Sequence, residues 1–568
     1  MRLEINQFGG MAPIIDPTAL PDKFSTFAKN VRLDRGVLAP AALELEAVGD
    51  YPDGSLSGKA VKAVAKMLES DTRFAFSHAD AANAFVSPVS PADTWGRVYF
   101  MDSAGPSFTT TDQYSPGGLV VNPVSYRLGI ETPGAPPVTG TVEIEHEHEE
   151  GAPDDGGDAE KIEIKPDYVT VAYAFSYVDK YGHEGGLSRA SEVVRIAYDR
   201  TFKVAVSDLR GSVGGRHNFL GGKKRIYRAT FDGSSSVWQF LTDVPYANDS
   251  FGDDIPVGEE GEVAISGDWL PAPEDLENLC LVASSFAAGT LGHYVCYSEL
   301  KLPHAWPTEL QFPVKYTPVG LMPLLNGLLV VTTGRPYWAE GTDPNSAIPR
   351  ELPINAPCLS TDSLVDMGDY AMYVSLDGLV AAGPGQAEIV TKTVLDRAEM
   401  ETLVDEDCTA FAFDGRYVFS TKDGRWMGFV PQEGLVEYDF GYAPRNFRAV
   451  SFNVRDNRHY FCFNDGTVRG IEVGGTASGV EWRSKLWRTS PESFSAIRVE
   501  ADTYPVEVVV RCQYLGEEWQ ESPAFGVTGP HVQRLPVMTG GLWQVVVKPP
   551  SEGRVYRLIL GQSGQETR

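Results

Sequence analysis

Hydrophobic and polar positions alternate with a period of two in several stretches of the chain. The clearest is 168–178, YVTVAYAFSYV, which reads as a strand with one face turned to a core. Shorter strand-like runs follow at 193–197, 202–206, 224–230 and 237–244, with turn-rich segments between them. Pro-rich stretches bound this region on both sides, IETPGAPPV at 130–138 and LPAPED at 270–275. About seven short strands within about 110 residues, framed by such linkers, predict an immunoglobulin-like sandwich inserted into another fold.

Beyond residue 276 the pattern changes to hairpins at a steady interval. Turn signals fall at Gly334, Asp377-Gly378, Asp423-Gly424 and Asp465-Gly466, so the glycines are 44, 46 and 42 residues apart. Each turn lies between two apolar runs: 328–332 with 337–340, 371–375 with 379–382, 417–421 with 426–430, and 459–463 with 468–473. Asp-Gly suits a tight hairpin because its central residues take positive φ. A repeat of 40–50 residues built of short strands is the spacing of propeller blades, each too small to be stable without its neighbours. The segments 60–110 and 276–310 are expected to supply further blades.

The flanks are less regular. Residues 1–60 show little period, and 24–39 reads as an extended arm lying over the body or over a neighbour. The run KAVKAVAKML at 59–68 fits a short helix or an amphipathic strand. Strand-like runs at 496–501, 506–514, 542–548 and 555–560 lack the blade interval and predict a separate small β-domain. The expected class is therefore all-β: a β-propeller with an inserted fibronectin type III-like sandwich and a C-terminal β-domain. The expected divisions are 1–130 (arm and first blade or blades), 131–273 (sandwich with an acidic hairpin), 274–475 (remaining blades) and 476–568 (C-terminal β-domain).

Composition narrows the function classes. Of 568 residues, 48 are Lys or Arg and 77 are Asp or Glu, a formal charge of −29. Such a balance repels phosphate and argues against a nucleic-acid binder of the basic kind. With 42% hydrophobic and 11% aromatic residues the chain has ample material for packed cores and is not disordered. The first residues show no basic stretch followed by an apolar run, so no secretory leader is expected. No apolar run nears the ~20 residues of a membrane helix. The cysteines at 280, 296, 358, 408, 462 and 512 are scattered and form no C-x-x-C, which predicts buried small hydrophobes rather than a disulfide frame or zinc site.

Candidate chemistry concentrates in one place, TVEIEHEHEEGAPDDGGDAEKIEIK at 141–165. Read as a hairpin turning near Asp155, it places Glu143, Glu145, Glu147 and Glu149 on one face and His146 and His148 on the other. That register sets Glu149 opposite Lys161 and Glu145 opposite Lys165. Carboxylates about 7 Å apart on one face repel in water by only about 0.6 kcal/mol per pair, so a solvated acidic hairpin is tolerable. The residues singled out for an interaction or lumen role are Glu143, Glu145, Glu147, Glu149, Glu150, Asp154, Asp155 and Asp158. Asp154, Asp155 and Asp158 offer oxygen ligands for Ca²⁺, but the loop lacks the spaced calcium pattern. GGKK at 221–224 lacks the first Gly and the Ser/Thr of a phosphate loop, GSLSG at 54–58 lacks a central Ser, and no H-E-x-x-H occurs. Trp426, Trp482, Trp487, Trp519 and Trp543 read as core and interface residues, with sugar stacking as the alternative. The expectation is a protein with no catalytic residues, no cofactor and no metal.

INQFGGMAPIIDPTALPDKFSTFAKNVRLDRGVLAP near the start, YSELKLPHAWP (297–307), LNGLLVVTTGRPYWAEGTDP (325–344) and MGDYAMYVSLDGLVAAGPG (367–385) resemble bacteriophage virion proteins. The resemblance is to the tail nozzle, or tail tubular protein B, of short-tailed phages and runs discontinuously over most of 1–475. It implies a propeller-containing subunit of a homohexameric tube below the portal and adaptor rings. Such a tube conducts or retains genomic double-stranded DNA without sequence-specific binding and docks tail fibres or spikes. It implies a virion tail location after synthesis in the bacterial cytoplasm, with no membrane segment. Six copies at −29 would carry roughly −170, a wall that repels passing DNA rather than gripping it. The alternatives are a receptor-binding or fibre-adaptor tail protein and, third, an envelope polysaccharide hydrolase.

Overall fold

In the computed structural model, described for residues 2–41, 43–67, 70–77, 85–86, 93–145, 147–150, 161–210, 216–231, 237–453, 457–473, 479–514 and 516–567, nearly every regular element is a strand. Strands such as Ala371–Ser375, Arg416–Ser420 and Gly327–Thr332 are buried at every position. A sheet packed on both faces has no solvent side, so its strands read as continuous apolar runs rather than alternating ones.

Among the described residues seven three- or four-stranded units recur, six as separate small sheets and blade 6 as the first four strands of an eleven-stranded sheet. Blade 1 is Ala63–Lys66, Arg73–Phe76 and Leu119–Val121, and blade 2 is Phe85–Val86, Val98–Asp102, Gly105–Thr109 and Tyr126–Arg127. Blade 3 is Glu277–Val282, Phe286–Leu291, Tyr294–Tyr297 and Gln311–Pro313, and blade 4 is Pro318–Leu324, Gly327–Thr332, Tyr337–Glu340 and Arg350–Glu351. Blade 5 is Val365–Asp366, Ala371–Ser375, Gly378–Gly383 and Gln386–Ile389, and blade 6 is Ala410–Phe413, Arg416–Ser420, Trp426–Val430 and Gly434–Tyr438. Blade 7 is Phe447–Asn453, Arg458–Phe463 and Val468–Val473, completed by Leu43–Ala47 from near the start of the chain. The four Gly turns of the sequence pattern each join the second and third strands of blades 4 to 7, in the predicted pairings.

The sheets face one another in a closed ring. Phe74 and Phe76 of blade 1 pack on Val98 and Phe100 of blade 2, and Tyr99 and Phe108 of blade 2 share a cluster with Leu279 and Ala287 of blade 3. Further clusters join blades 3 to 4, 4 to 5 and 5 to 6. Phe411 of blade 6 meets Phe461 of blade 7 at 5.1 Å, and Cys462 and Val468 of blade 7 pack on Val64 and Ala75 of blade 1. This is a seven-bladed β-propeller whose last blade is completed by a strand from the other end of the chain. The 59–68 run forms a strand, Ala63–Lys66, not a helix, because the ring gives both its faces apolar neighbours.

The N-terminal arm lies on the body of its own chain. Arg2–Ile5 pairs along Val555–Gly561, and Ser25–Lys29 joins blade 6 to Glu481–Ser484 through a parallel contact at Lys29 and Glu437. The C-terminal strands are consequently not an isolated unit. One buried cluster runs from Phe8 and Ala28 of the arm through Trp426 and Phe461 of the propeller to Trp482, Val508, Val545 and Leu558. The clean alternation in Val506–Gln513, buried at every second residue, marks a sheet with one packed face.

Between blades 2 and 3 the chain builds a two-sheet sandwich. One sheet runs Val194–Ala197, Tyr168–Val178, Lys223–Phe231, Trp238–Pro245, and the other Val138–Ile144, Phe202–Ser207, Phe251–Asp253. Tyr173, Phe175, Val204, Val206 and Ile226 fill the space between them.

Candidate interaction site on the inserted sandwich

The acidic stretch divides between two ladders. Glu143 stands opposite Lys203 at the sandwich edge and is exposed, while Val142 and Ile144 turn inward. Glu145 is bound to Thr201: its N–H donates to the Thr201 carbonyl at 3.1 Å and its carboxylate accepts from the Thr201 hydroxyl. Glu147, Glu149 and Glu150 lie in a separate strand, Glu147–Glu150, paired with Lys161–Ile164. Here the expected register is off by one: Glu150, not Glu149, is opposite Lys161, and Glu149 is opposite Ile162. Glu145 does not face Lys165 because the sandwich ladder has already claimed it, so the hairpin starts its own register after it. Asp154, Asp155 and Asp158 lie outside the described residues. Among the described residues no three His, Cys, Asp or Glu side chains converge in a manner that would hold a metal ion.

The sandwich is seated on the propeller, not hung from it. Its incoming and outgoing linkers run side by side, the Ala272 N–H donating to the Leu128 carbonyl at 3.0 Å. At Gly129, φ is +90° and a Cβ would lie 2.5 Å from both the His304 carbonyl oxygen and Pro271, so no side chain fits. Lys180 of the sandwich pairs with Asp112 at 2.6 Å, and Arg216 with Asp102 of blade 2. Burial pushes the Asp102 carboxyl up, but bonds from Ala104, Ser125 and Arg216 outweigh it and hold the pKa below the ordinary value. Tyr181 enters the blade 2–blade 3 core, where its hydroxyl accepts from Gln113 at 2.8 Å.

A histidine pair is sealed into this neck. His183 of the sandwich stacks on His304 of blade 3 with ring centroids 4.4 Å apart, and Trp269 meets His304 edge-on. Both histidines are buried, and His183 Nδ1 is 3.4 Å from Asp179. Burial lowers the pKa of His183, against the pull of Asp179, and lowers His304 well below the usual value with the help of His183 and Arg97. His217 is pushed down to about 4, again by burial. An undocked or unfolded chain therefore binds protons more readily than the seated one below the ordinary histidine value of about 6.5. Neck stability is expected to be full above that pH and to fall steadily below it. Hydrogen exchange over 179–188 and 299–306 at stepped pH checks this. The protection factor, exchange corrected for its intrinsic pH dependence, is expected to fall below about pH 6, and less so in His304→Phe, which keeps the stack but cannot ionise.

Inside the sandwich, Arg228 is fully buried, with all five of its donors filled. Nη1 donates to Asp253 at 2.7 Å and to the Ile255 carbonyl, Nη2 to Glu260 at 2.6 Å and to the Pro256 carbonyl, and Nε to Glu260 at 3.0 Å. Tyr173 also donates to Asp253, at 2.7 Å. This network pins the loop 253–260 that leads to the sheet edge. Arg228 shares its strand parity with core residue Ile226, so an inward-facing charge was the available sequence signal. The neck histidines gave none, being 34 and 87 residues apart along the chain.

Of the tryptophans considered for sugar stacking, Trp426, Trp482, Trp487 and Trp543 are core residues and Trp519 alone is exposed, at 38%. All six cysteines are free and buried, as expected. Among the described residues no helix is long and apolar enough to cross a membrane.

No protein-family model and no curated protein matches the sequence. Solved structures with similar features include BBS1N in its complex with ARL6DN, with a TM-score of 0.25 at 12% identity over 50% of this chain and 88% of that one. PorZ, a bacterial surface component of the type-IX secretion system of Porphyromonas gingivalis, scores 0.24 at 12% identity over 59% of this chain and 43% of its own. The N-terminal domain of Nup159 scores 0.23 at 12% identity, over 43% and 86%. Scores this low transfer neither topology nor function.

Proposed function

We propose that this chain is a non-enzymatic structural subunit of the tail nozzle of a short-tailed phage. It assembles as a homohexameric ring below the portal and adaptor, passes or retains double-stranded DNA, and docks fibres or spikes. The sandwich is its fibronectin type III-like module.

The observation that supports this reading is where the phage-like stretches fall. INQFGG supplies Phe8, Gly9 and Gly10, which lie where the arm meets blade 6 and the C-terminal strands. YSELKLPHAWP supplies Tyr297, His304 and Trp306 to blade 3 and the neck. LNGLLVVTTGRPYWAEGTDP and MGDYAMYVSLDGLVAAGPG supply the buried hairpins of blades 4 and 5. The resemblance therefore sits in residues that build a scaffold, a distribution that suits a load-bearing subunit more than an adhesin, whose signature would lie on an exposed face. The formal charge of −29 per chain suits a wall past which DNA slides. Locating the chain in whole particles by cryo-EM tests the proposal.

A further inference from the structure

Among the described residues the larger sheet of the sandwich has two edges to which no further strand is bonded. At one end, residues 261–264 add to Trp238–Pro245: Gly261 N–H donates to the Phe240 carbonyl, Phe240 N–H to Glu262 and Ala264 N–H to Trp238, each at 2.8 Å. The alternate residues Val263 and Ile265 are 53% and 73% exposed, and no strand covers them among the described residues. At the other end, Val194–Ala197 is the outermost strand, flanked by Val193 and Tyr198 at 60% and 62% exposure. Exposed edges are normally guarded by Lys, Pro or a bulge, because their free N–H and C=O groups are templates for pairing. Neither 261–265 nor 193–198 contains Lys or Pro.

The single charge on each edge segment differs in sign, Glu262 in 261–265 and Arg195 in 193–198. Asp254, Glu259, Glu262 and Asp268 are exposed around the first edge, and 254–268 contains no Lys or Arg. Arg195 is the only charged residue in 193–198; it is exposed and lies over the Tyr168 ring at 4.9 Å. Arg189 is exposed nearby, while exposed Glu192 and Asp199 flank the strand on either side, so the contrast with the acidic edge rests on Arg195 itself. Pairing the acidic edge with itself would oppose like charges, whereas pairing it with the Arg195 edge places opposite charges together. The occupant that brings such an edge, with matching apolar residues, is a second copy of this chain.

We propose that the sandwiches of neighbouring copies join head to tail, the 261–265 edge of one adding to the 193–198 edge of the next. The contact is heterologous, the kind that generates rings when the rotation closes. It rests on the reading of the chain as a ring subunit and names the surface that joins the copies.

Sedimentation velocity of the full chain in low salt tests it, using Arg195→Glu, Glu262→Arg and the double variant, each matched to the wild type in melting temperature. For a small interface the wild type is expected to self-associate with a Kd of roughly 10–100 µM. Each single variant is expected to weaken this at least tenfold, and the double variant to restore it. A wild type that stays monomeric at the top of that range overturns the edge pairing, as does a double variant no better than the singles. Association equal in all four overturns the edge pairing but leaves a ring built through another surface intact.

Discussion

Replacing Arg228 with methionine is expected to destabilise the inserted sandwich by about 3–5 kcal/mol, the cost of stranding buried partner charges. Asp253 and Glu260 are 0% and 4% exposed at their side chains, so removing the guanidinium leaves two largely buried carboxylates without their cation. Burial pushes the Glu260 carboxyl up; bonds from its own loop and from Arg228 outweigh it, so its pKa lies below the ordinary value. That contribution is present above the ordinary carboxyl range and disappears as pH falls through the depressed value. If stranded charge is the cause, adding Asp253→Asn and Glu260→Gln to Arg228→Met recovers at least half of the loss, since the bonds from Tyr173 and Gly258 survive with neutral acceptors. Calorimetry of the three proteins measures this. A single variant within about 1 kcal/mol of wild type would show that the triad carries little.

Trp482→Ala is expected to cost a similar amount, about 3–5 kcal/mol, and to release the arm. Trp482 is fully buried where three parts of the chain meet. Its Nε1 donates to the Gly9 carbonyl at 2.9 Å, Phe8 meets its ring edge-on at 4.9 Å, and its backbone stands between Ala28 and Val547. The arm then runs on along blade 6, with Met11 and Leu435 exchanging bonds of 2.7 and 3.0 Å. Trp482→Phe keeps most of the volume but leaves the buried Gly9 carbonyl without its donor, so it should cost less, about 1–3 kcal/mol. Hydrogen exchange at 2–29 reads the outcome. Fast exchange there in Trp482→Ala, with the interior of blades 2 to 4 unchanged, is the expected pattern; uniform loosening of every blade would contradict the role assigned to this junction.

What the sequence disclosed follows from the range of the interactions. The hairpins of blades 4 to 7 were legible because a Gly turn and two apolar runs lie within about 15 residues. Phe202–Ser207 of the sandwich was legible because one face is solvated, Phe202, Val204 and Val206 being buried and Lys203 and Ala205 exposed, whereas Tyr168–Val178 alternates in sequence yet is buried on both faces from Val171 onward. The pairing of Arg2–Ile5 with Val555–Gly561 spans almost the whole chain and leaves no local trace. Blade 1 was obscured because Leu119–Val121 arrives parallel to Arg73–Phe76 only after the Val98–Asp102 and Gly105–Thr109 hairpin of blade 2 has formed. The acidic hairpin slipped by one residue because an alternating sequence fixes faces only once one partner is known, and the sandwich took Glu145 first. The sheet edges could not be read as edges until sheet order was known.

Cryo-EM of the whole phage particle is the most direct test of the mechanical-scaffold account. The account predicts this chain in a ring about the tail axis, below the portal and adaptor, with propellers surrounding an opening wide enough for duplex DNA. A chain found off the axis at the tips of appendages, or absent from the particle, would contradict it.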